Sequence, residues 1–195
     1  PLEQLMAIDV VYGASKHEQK VTEAPSSVSV VTSADIERYG YRTLADVLGS
    51  VPGFYTSRDR NYTYLGVRGF SRPSDYNSRF LMLVDGHRVN ENFYGGAFVG
   101  TEGLLDLELI ERIEIIRGPS SSLYGTSAFF AVVNVVTRKP GDLPTLQIGA
   151  MGASYGTSAG RLTFARSFAG GLRLLASGAA YRSHGQRLFY KEYDD

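Results

Sequence analysis

The spacing of hydrophobic and polar positions changes several times along this chain. Ser26-Ser27-Val28-Ser29-Val30-Val31 alternates before turning apolar, which predicts a first strand. Thr32 and Asp35 stand at capping-box spacing and Gly40 is a stop signal, so a short helix is expected between them. Thr43 and Asp46 repeat the device. Leu44, Val47 and Leu48 then share one helical face, and Pro52 disfavours helical geometry at Val51, ending this second helix. Residues 54–79 are rich in Tyr, Arg, Asn, Ser and Gly and read mostly as loop, with a brief strand at 64–67. Phe80-Leu81-Met82-Leu83-Val84 is an apolar run of strand length closed by the turn Asp85-Gly86, and Val89 begins a return. After a Gly- and aromatic-rich loop at 90–103, a helical turn is expected at 104–109 and a strand at 113–116, broken by Gly118-Pro119. A compact turn at 121–125 and a last strand at 132–137 complete a mixed α/β unit with short elements and long loops.

Beyond Pro140-Gly141 a period of two takes over. Leu146, Ile148, Ala150 and Gly152 share one parity; Leu162, Phe164, Arg166 and Phe168 follow, then Leu172, Leu174, Ala176, Gly178 and Ala180 after the turn Ala169-Gly170-Gly171. Small residues in this alternation suit long antiparallel strands with one apolar face, either in a membrane barrel or in a water-soluble hairpin region packed on the preceding domain. Two or three strands cannot close a barrel, so taken alone this tail has open edges and is expected to be disordered or to aggregate.

Composition narrows the chemistry. The 195 residues include no cysteine, which excludes disulfides, thiol catalysis and cysteine-built zinc sites. Lys and Arg balance Asp and Glu at 20 each, so there is no net basic field of the kind that binds nucleic acid. No run approaches the roughly 18 apolar residues of a membrane helix, a test to which barrel strands are blind. Pro1-Leu2-Glu3-Gln4-Leu5-Met6 lacks the basic start and apolar run of a signal peptide; either an export signal has been removed or the chain is an internal excerpt. His17, His87 and His184 are far apart and outside any metal motif. Arg117-Gly118-Pro119-Ser120 lacks a Walker lysine, and there is no Gly-x-Ser-x-Gly elbow, so no enzymatic activity is expected. Near the start, the apolar patch Ile8-Asp9-Val10-Val11-Tyr12 precedes a polar run. It reads as a frayed terminus or as a strand that adds to a partner's open sheet edge.

A set of motifs falls in order along this pattern: Ala24-Pro25-Ser26-Ser27-Val28, Leu44-Ala45-Asp46-Val47-Leu48 with Val51-Pro52-Gly53, Val67-Arg68-Gly69-Phe70, Leu83-Val84-Asp85-Gly86 with Arg88-Val89-Asn90, Ile110-Glu111-Arg112-Ile113-Glu114-Ile115-Ile116-Arg117-Gly118-Pro119, Leu123-Tyr124-Gly125, and Val133-Asn134-Val135-Val136-Thr137. Over about residues 8–140 the chain resembles the plug of TonB-dependent outer-membrane receptors, and its continuation resembles the start of their roughly 22-stranded barrel. One departure is Ala128-Phe129-Phe130-Ala131, where the family pattern carries more glycine and bulk leaves less room for close backbone approach.

The resemblance implies a periplasmic N-terminal segment at 1–24, an α/β plug at 25–140 with a small mixed β-sheet, and the beginning of a transmembrane antiparallel β-barrel at 141–195. It implies a receptor in the outer membrane, its N-terminus facing the periplasm, that imports a scarce, bulky ligand. A ferric siderophore is expected first, then a corrinoid, haem or other metal chelate; no intrinsic cofactor is implied. The partners would be the rest of its own barrel and the TonB C-terminal domain, with the ExbB–ExbD complex acting indirectly. Ile8, Asp9, Val10, Val11, Tyr12, Gly13 and Ala14 lie where a TonB box is expected. Arg68 and Arg117 correspond to plug arginines that meet glutamates of the barrel wall, a latch that Glu111 and Glu114 could join; both arginines could instead pin neighbouring plug loops, and both glutamates could be solvated strand residues. The outward loops, 56–64, 71–79 and 91–100, carry Arg58, Arg60, Tyr62, Tyr64, Arg72, Tyr76, Arg79, Phe93, Tyr94 and Phe98, a mixture suited to an aromatic or anionic chelate or to packing against the barrel wall. The alternative to a transporter is a soluble periplasmic interaction domain derived from a plug, or an inactive receptor fragment.

Overall fold

The computed structural model describes residues 10–11, 19–20, 27–59, 62–72, 74–103, 105–186, 189 and 191. These group into two compact units, 1–137 and 138–195.

In the first unit, β1 (Val10–Val11) pairs antiparallel with β2 (Gln19–Lys20). The strand β3 (Ser27–Thr32) leads into α1 (Ser33–Tyr39) and α2 (Leu44–Gly49), and both helices begin with the expected capping box. Thr32 Oγ1 accepts the Asp35 backbone N–H (3.2 Å) while the Asp35 carboxylate accepts the Thr32 N–H (3.0 Å), and Thr43 and Asp46 do the same. Gly40 closes α1 at φ +65°, a conformation that favours glycine.

Here the structure adds a strand to the expected one. The strands β4 (Phe54–Arg58) and β5 (Thr63–Val67) pair antiparallel. Few apolar residues are needed because Tyr55 pairs with Gly66 and its ring occupies the space a Cβ there would fill. Next come β6 (Phe80–Val84) and β7 (His87–Arg88), joined by Asp85 at φ +48° and Gly86 at φ +80°, the primed turn read from Asp-Gly. A 3₁₀ turn, Leu107–Leu109, precedes β8 (Ile110–Arg117), then α3 (Ser121–Tyr124) and β9 (Ala131–Thr137).

Five of these strands make one mixed sheet in the order β3-β8-β9-β6-β7, antiparallel except where β6 runs parallel to β9. Its central strands are apolar on both faces because both are covered. Ile113, Ile115, Val133, Val135, Phe80 and Met82 pack with Ile36, Leu44, Val47 and Leu48 of the two helices. On the opposite face Leu81, Leu83, Ile116 and Val132 pack with Ala128, Val28, Val30 and Tyr124.

The second unit is a three-stranded antiparallel meander of β10 (Leu146–Ala153), β11 (Thr157–Ser167) and β12 (Arg173–Arg182). Its register places Leu146, Ile148, Leu162, Phe164 and Leu174 on one face with Ala176, Gly178 and Ala180. That face is open: Ile148 is 76% exposed, Leu146 56% and Leu162 55%. Opposite lie Gln147, Thr163 and Ser177, with Thr163 fully buried and its hydroxyl 2.7 Å from that of Ser177. Among the described residues no helix is long and apolar enough to cross a membrane, which says nothing about strands.

Candidate functional site

The long loops of the first unit are drawn together by two buried asparagines. Asn77, at φ +62°, accepts the Leu65 N–H through Oδ1 (2.7 Å) and donates through Nδ2 to Thr63 O and Ala97 O (2.9 Å each), so one side chain ties three segments. Asn90 accepts from Met82 N and donates to Phe80 O and Gly95 O. Burial makes these bonds costly to lose, because an orphaned backbone group in the interior costs about 1–3 kcal/mol.

On that frame stands a chain of aromatic rings reaching across all three loops. Tyr62 meets Tyr76 edge-on (5.3 Å between centroids), Tyr76 meets Tyr94 (5.6 Å), and Tyr94 meets Phe93 edge-on (4.6 Å). Phe93 is 84% and Tyr94 65% exposed. The Glu91 carboxylate holds their backbone: it accepts N–H bonds from Phe93 (2.7 Å), Tyr94 and Gly96 (3.0 Å). These bonds, led by that from Gly96, hold the Glu91 pKa below the usual carboxylate value. Gly96 also touches Tyr76 so closely that an added Cβ would sit 2.9 Å from the Tyr76 carbonyl oxygen.

The other loop residues are placed differently. Tyr64 is buried and donates its hydroxyl to Asp59 (2.7 Å), which raises its pKa; it lies beneath the exposed surface because β5 is buried along its whole length. Arg58 pairs with Asp46 (3.6 Å) and Arg79 with Asp75 (3.2 Å), whereas the exposed Arg72 side chain has no partner among the described residues. Phe98 is 40% exposed and outside the ring chain. Arg60 lies outside the described residues.

Arg68 and Arg117 are brought together. Arg68, at φ +53° beside Gly69, forms the tight turn between Val67 and Phe70, and its Nη2 donates to the Arg117 carbonyl (3.2 Å). Arg117 Nη1 donates to Pro52 O (2.8 Å) and Nη2 to the hydroxyls of Ser27 (2.8 Å) and Ser29 (3.0 Å), pinning the edge strand β3. Glu114 lies on the other face of the same strand, since side chains three apart on a strand point oppositely. It is fully buried rather than solvated. Arg112 donates to Glu114 Oε1 (3.1 and 3.0 Å) and to Glu111 Oε1 (2.7 Å), and Asn134 to Glu114 Oε2 (3.2 Å). The glutamates therefore form a network of their own. Of the candidate TonB box at 8–14 only Val10 and Val11 are described; Ile8, Asp9, Tyr12, Gly13 and Ala14 lie outside the described residues. No group of three His, Asp or Glu that could hold a metal occurs among the described residues.

Asn77 and Glu91 were not singled out from the sequence, and Asn90 only as the end of the Arg88-Val89-Asn90 motif. Glu91 ahead of Gly95-Gly96 is a local signal that could have been found; the asparagine bonds span up to 20 positions and leave none.

A small mixed sheet with two capped helices on one face and its long loops tied together is a distinctive module. The chain belongs to the plug family of TonB-dependent receptors, whose model, TonB-dependent Receptor Plug Domain, matches residues 20–132. It is 38% identical over 134 residues to an iron-regulated outer membrane virulence protein of Vibrio cholerae, covering 67% of this chain and 20% of that protein. It is 31% identical over 173 residues to a vitamin B12 transporter of Vibrio vulnificus, covering 87% and 27%. Among solved structures, Pseudomonas aeruginosa FpvA bound to a heterologous pyoverdine–iron complex superposes with a TM-score of 0.72 at 22% identity, over 89% of this chain and 22% of that one. The ferric yersiniabactin uptake receptor of Yersinia pestis gives 0.65 at 22%, over 91% and 26%. The chain thus spans about a fifth to a quarter of the length of these relatives.

Proposed function

We propose that this chain is the plug and first barrel strands of an outer-membrane receptor that imports a metal chelate, a ferric siderophore before a corrinoid or haem, in a step energised by TonB. The observation that carries this reading is the second unit: a sheet with large apolar side chains open on one face and Gln147, Thr163 and Ser177 on the other is suited to lipid on one side and a hydrated lumen on the other. A soluble interaction domain would expose that face to water, where large apolar patches are unusual on monomers.

Within this reading 1–24 is the periplasmic segment with the TonB box at 8–14, 25–140 the plug, and 141–195 the start of the barrel. The ring chain Tyr62–Tyr76–Tyr94–Phe93 is the surface that meets the ligand. Arg68, exposed and with a single hydrogen bond from its guanidinium among the described residues, is the arginine best placed to meet a wall carboxylate. Arg117 serves chiefly inside the unit.

The test is native mass spectrometry of the full-length receptor recovered from outer membranes. A metal chelate co-purifying with the receptor, lost on replacing Phe93 and Tyr94 by alanine, is the expected result. Recovery of the protein only from the soluble periplasmic fraction would sink the proposal.

A further inference from the structure

We infer that Arg117 is a release catch for β3: its guanidinium decides whether this edge strand stays on the five-stranded sheet or peels away from its Ser27 end while the rest of the sheet stays folded. β3 has β8 as its one strand neighbour, whereas β8, β9 and β6 are each held on both sides. Its register with β8 is antiparallel, running from Ser27 opposite Arg117 at its first residue to Thr32 opposite Arg112 at its last. A displacement that reaches β3 through the preceding chain therefore loads the Ser27–Arg117 pair first, and the pairs separate in turn rather than together. Arg117 stands where peeling begins.

The side chain adds a cross-link at that first pair. Nη2 donates to Ser27 Oγ (2.8 Å) and Ser29 Oγ (3.0 Å), two hydroxyls on one face of β3, while Nη1 donates to Pro52 O (2.8 Å) beyond the end of α2. One planar fork thus ties the strand to a second segment as well as to β8, a geometry that a lysine ammonium does not reproduce. Arg68 is a positioning residue here, since its Nη2 donates to the carbonyl of Arg117 (3.2 Å) and steadies the backbone from which the fork projects. Two features make the hold releasable. Its acceptors are neutral oxygens, which bind a guanidinium less tightly than a carboxylate does. Its Nε is buried without a hydrogen-bond partner among the described residues, a cost that the closed catch carries and the open one sheds. At the far end Thr32 caps α1 through Asp35, so the peel meets a capped helix and the opening unit is β3 alone. All of these contacts lie within the first unit, and the catch rests on the transport reading only for the origin of the pull.

The experiment is hydrogen exchange read by mass spectrometry on the full-length protein, following peptides over β3 and, as an internal reference, over β9. Ser27→Ala combined with Ser29→Ala removes both hydroxyl acceptors and leaves Arg117 bound to Pro52. It should speed exchange over β3 at least about tenfold, in line with the worth of hydrogen bonds to a charged group, while β9 keeps its rate. Ser27→Thr with Ser29→Thr retains both hydroxyls and should keep the unsubstituted rate. Arg117→Lys should speed exchange over β3 as the alanine pair does, and Arg68→Gln should do so to a smaller extent. Exchange over β3 indifferent to the alanine pair would overturn the catch. Equal acceleration over β3 and β9 would overturn it too, since the serines would then serve the stability of the whole sheet. The expected exchange pattern in a receptor that imports no chelate would overturn the transport reading alone.

Discussion

The five-stranded and three-stranded sheets are built from similar side chains facing opposite ways. In the first, Ile113, Ile115, Val133 and Val135 are wholly buried between helices and sheet. In the second, Ile148, Leu146 and Leu162 stand open while Thr163 is buried. Alternation thus specifies two faces, but which face turns inward depends on what surrounds the sheet.

The largest expected effect lies in the covered sheet. Ile115→Ala should cost about 4 kcal/mol through lost transfer energy and the cavity left behind, whereas Ile148→Ala should change stability by less than about 0.5 kcal/mol in water. Urea unfolding of both variants measures this, and equal losses would abolish the distinction between the sheets. Glu114→Ala comes next, at about 3 kcal/mol, because it leaves the partly buried Arg112 guanidinium with Glu111 alone and strands the Asn134 amide; an unchanged urea midpoint would show the network to be dispensable.

Ile148→Arg sharpens the comparison where the medium is lipid. On a bilayer-facing strand it should cost about 2–4 kcal/mol at mid-depth, while Gln147→Arg on the opposite face is tolerated; the assembled fraction in lipid vesicles reads both, and identical yields would argue against a lipid-facing surface.

The smallest effect is confined to the 91–96 loop. The Glu91 pKa is lowered in the folded state, so its contribution is fully present above the unfolded value of about 4.3 and is lost as pH falls through the lowered folded value. Hydrogen exchange at the Phe93, Tyr94 and Gly96 amides should therefore show protection that disappears in acid, and that Glu91→Gln weakens at neutral pH. Protection unchanged by either would remove the carboxylate from the account.

Local signals explain why so much of the first unit could be anticipated. A capping box spans three residues, and Asp-Gly sets a primed turn from two, so Thr32/Asp35, Thr43/Asp46 and Asp85-Gly86 were legible. The β4 strand was not, because its pairing depends on Tyr55 covering Gly66 eleven positions away. The tail, expected to be disordered or to aggregate if taken alone, is regular over three strands in this structure.

The candidate site divides along the same line. Its aromatic and arginine content was visible in the loops. That Tyr62, Tyr76 and Tyr94 form one surface, that Tyr64 lies beneath it, and that Glu114 turns away from Arg117 emerged only from the assembled chain. Sequence alone determined most of the elements, their caps and turns, and the alternation of the tail strands, because those depend on neighbours a few bonds away. Tertiary structure decided which loops meet and which faces are covered, because those depend on contacts between residues far apart in the chain and on the medium each face meets.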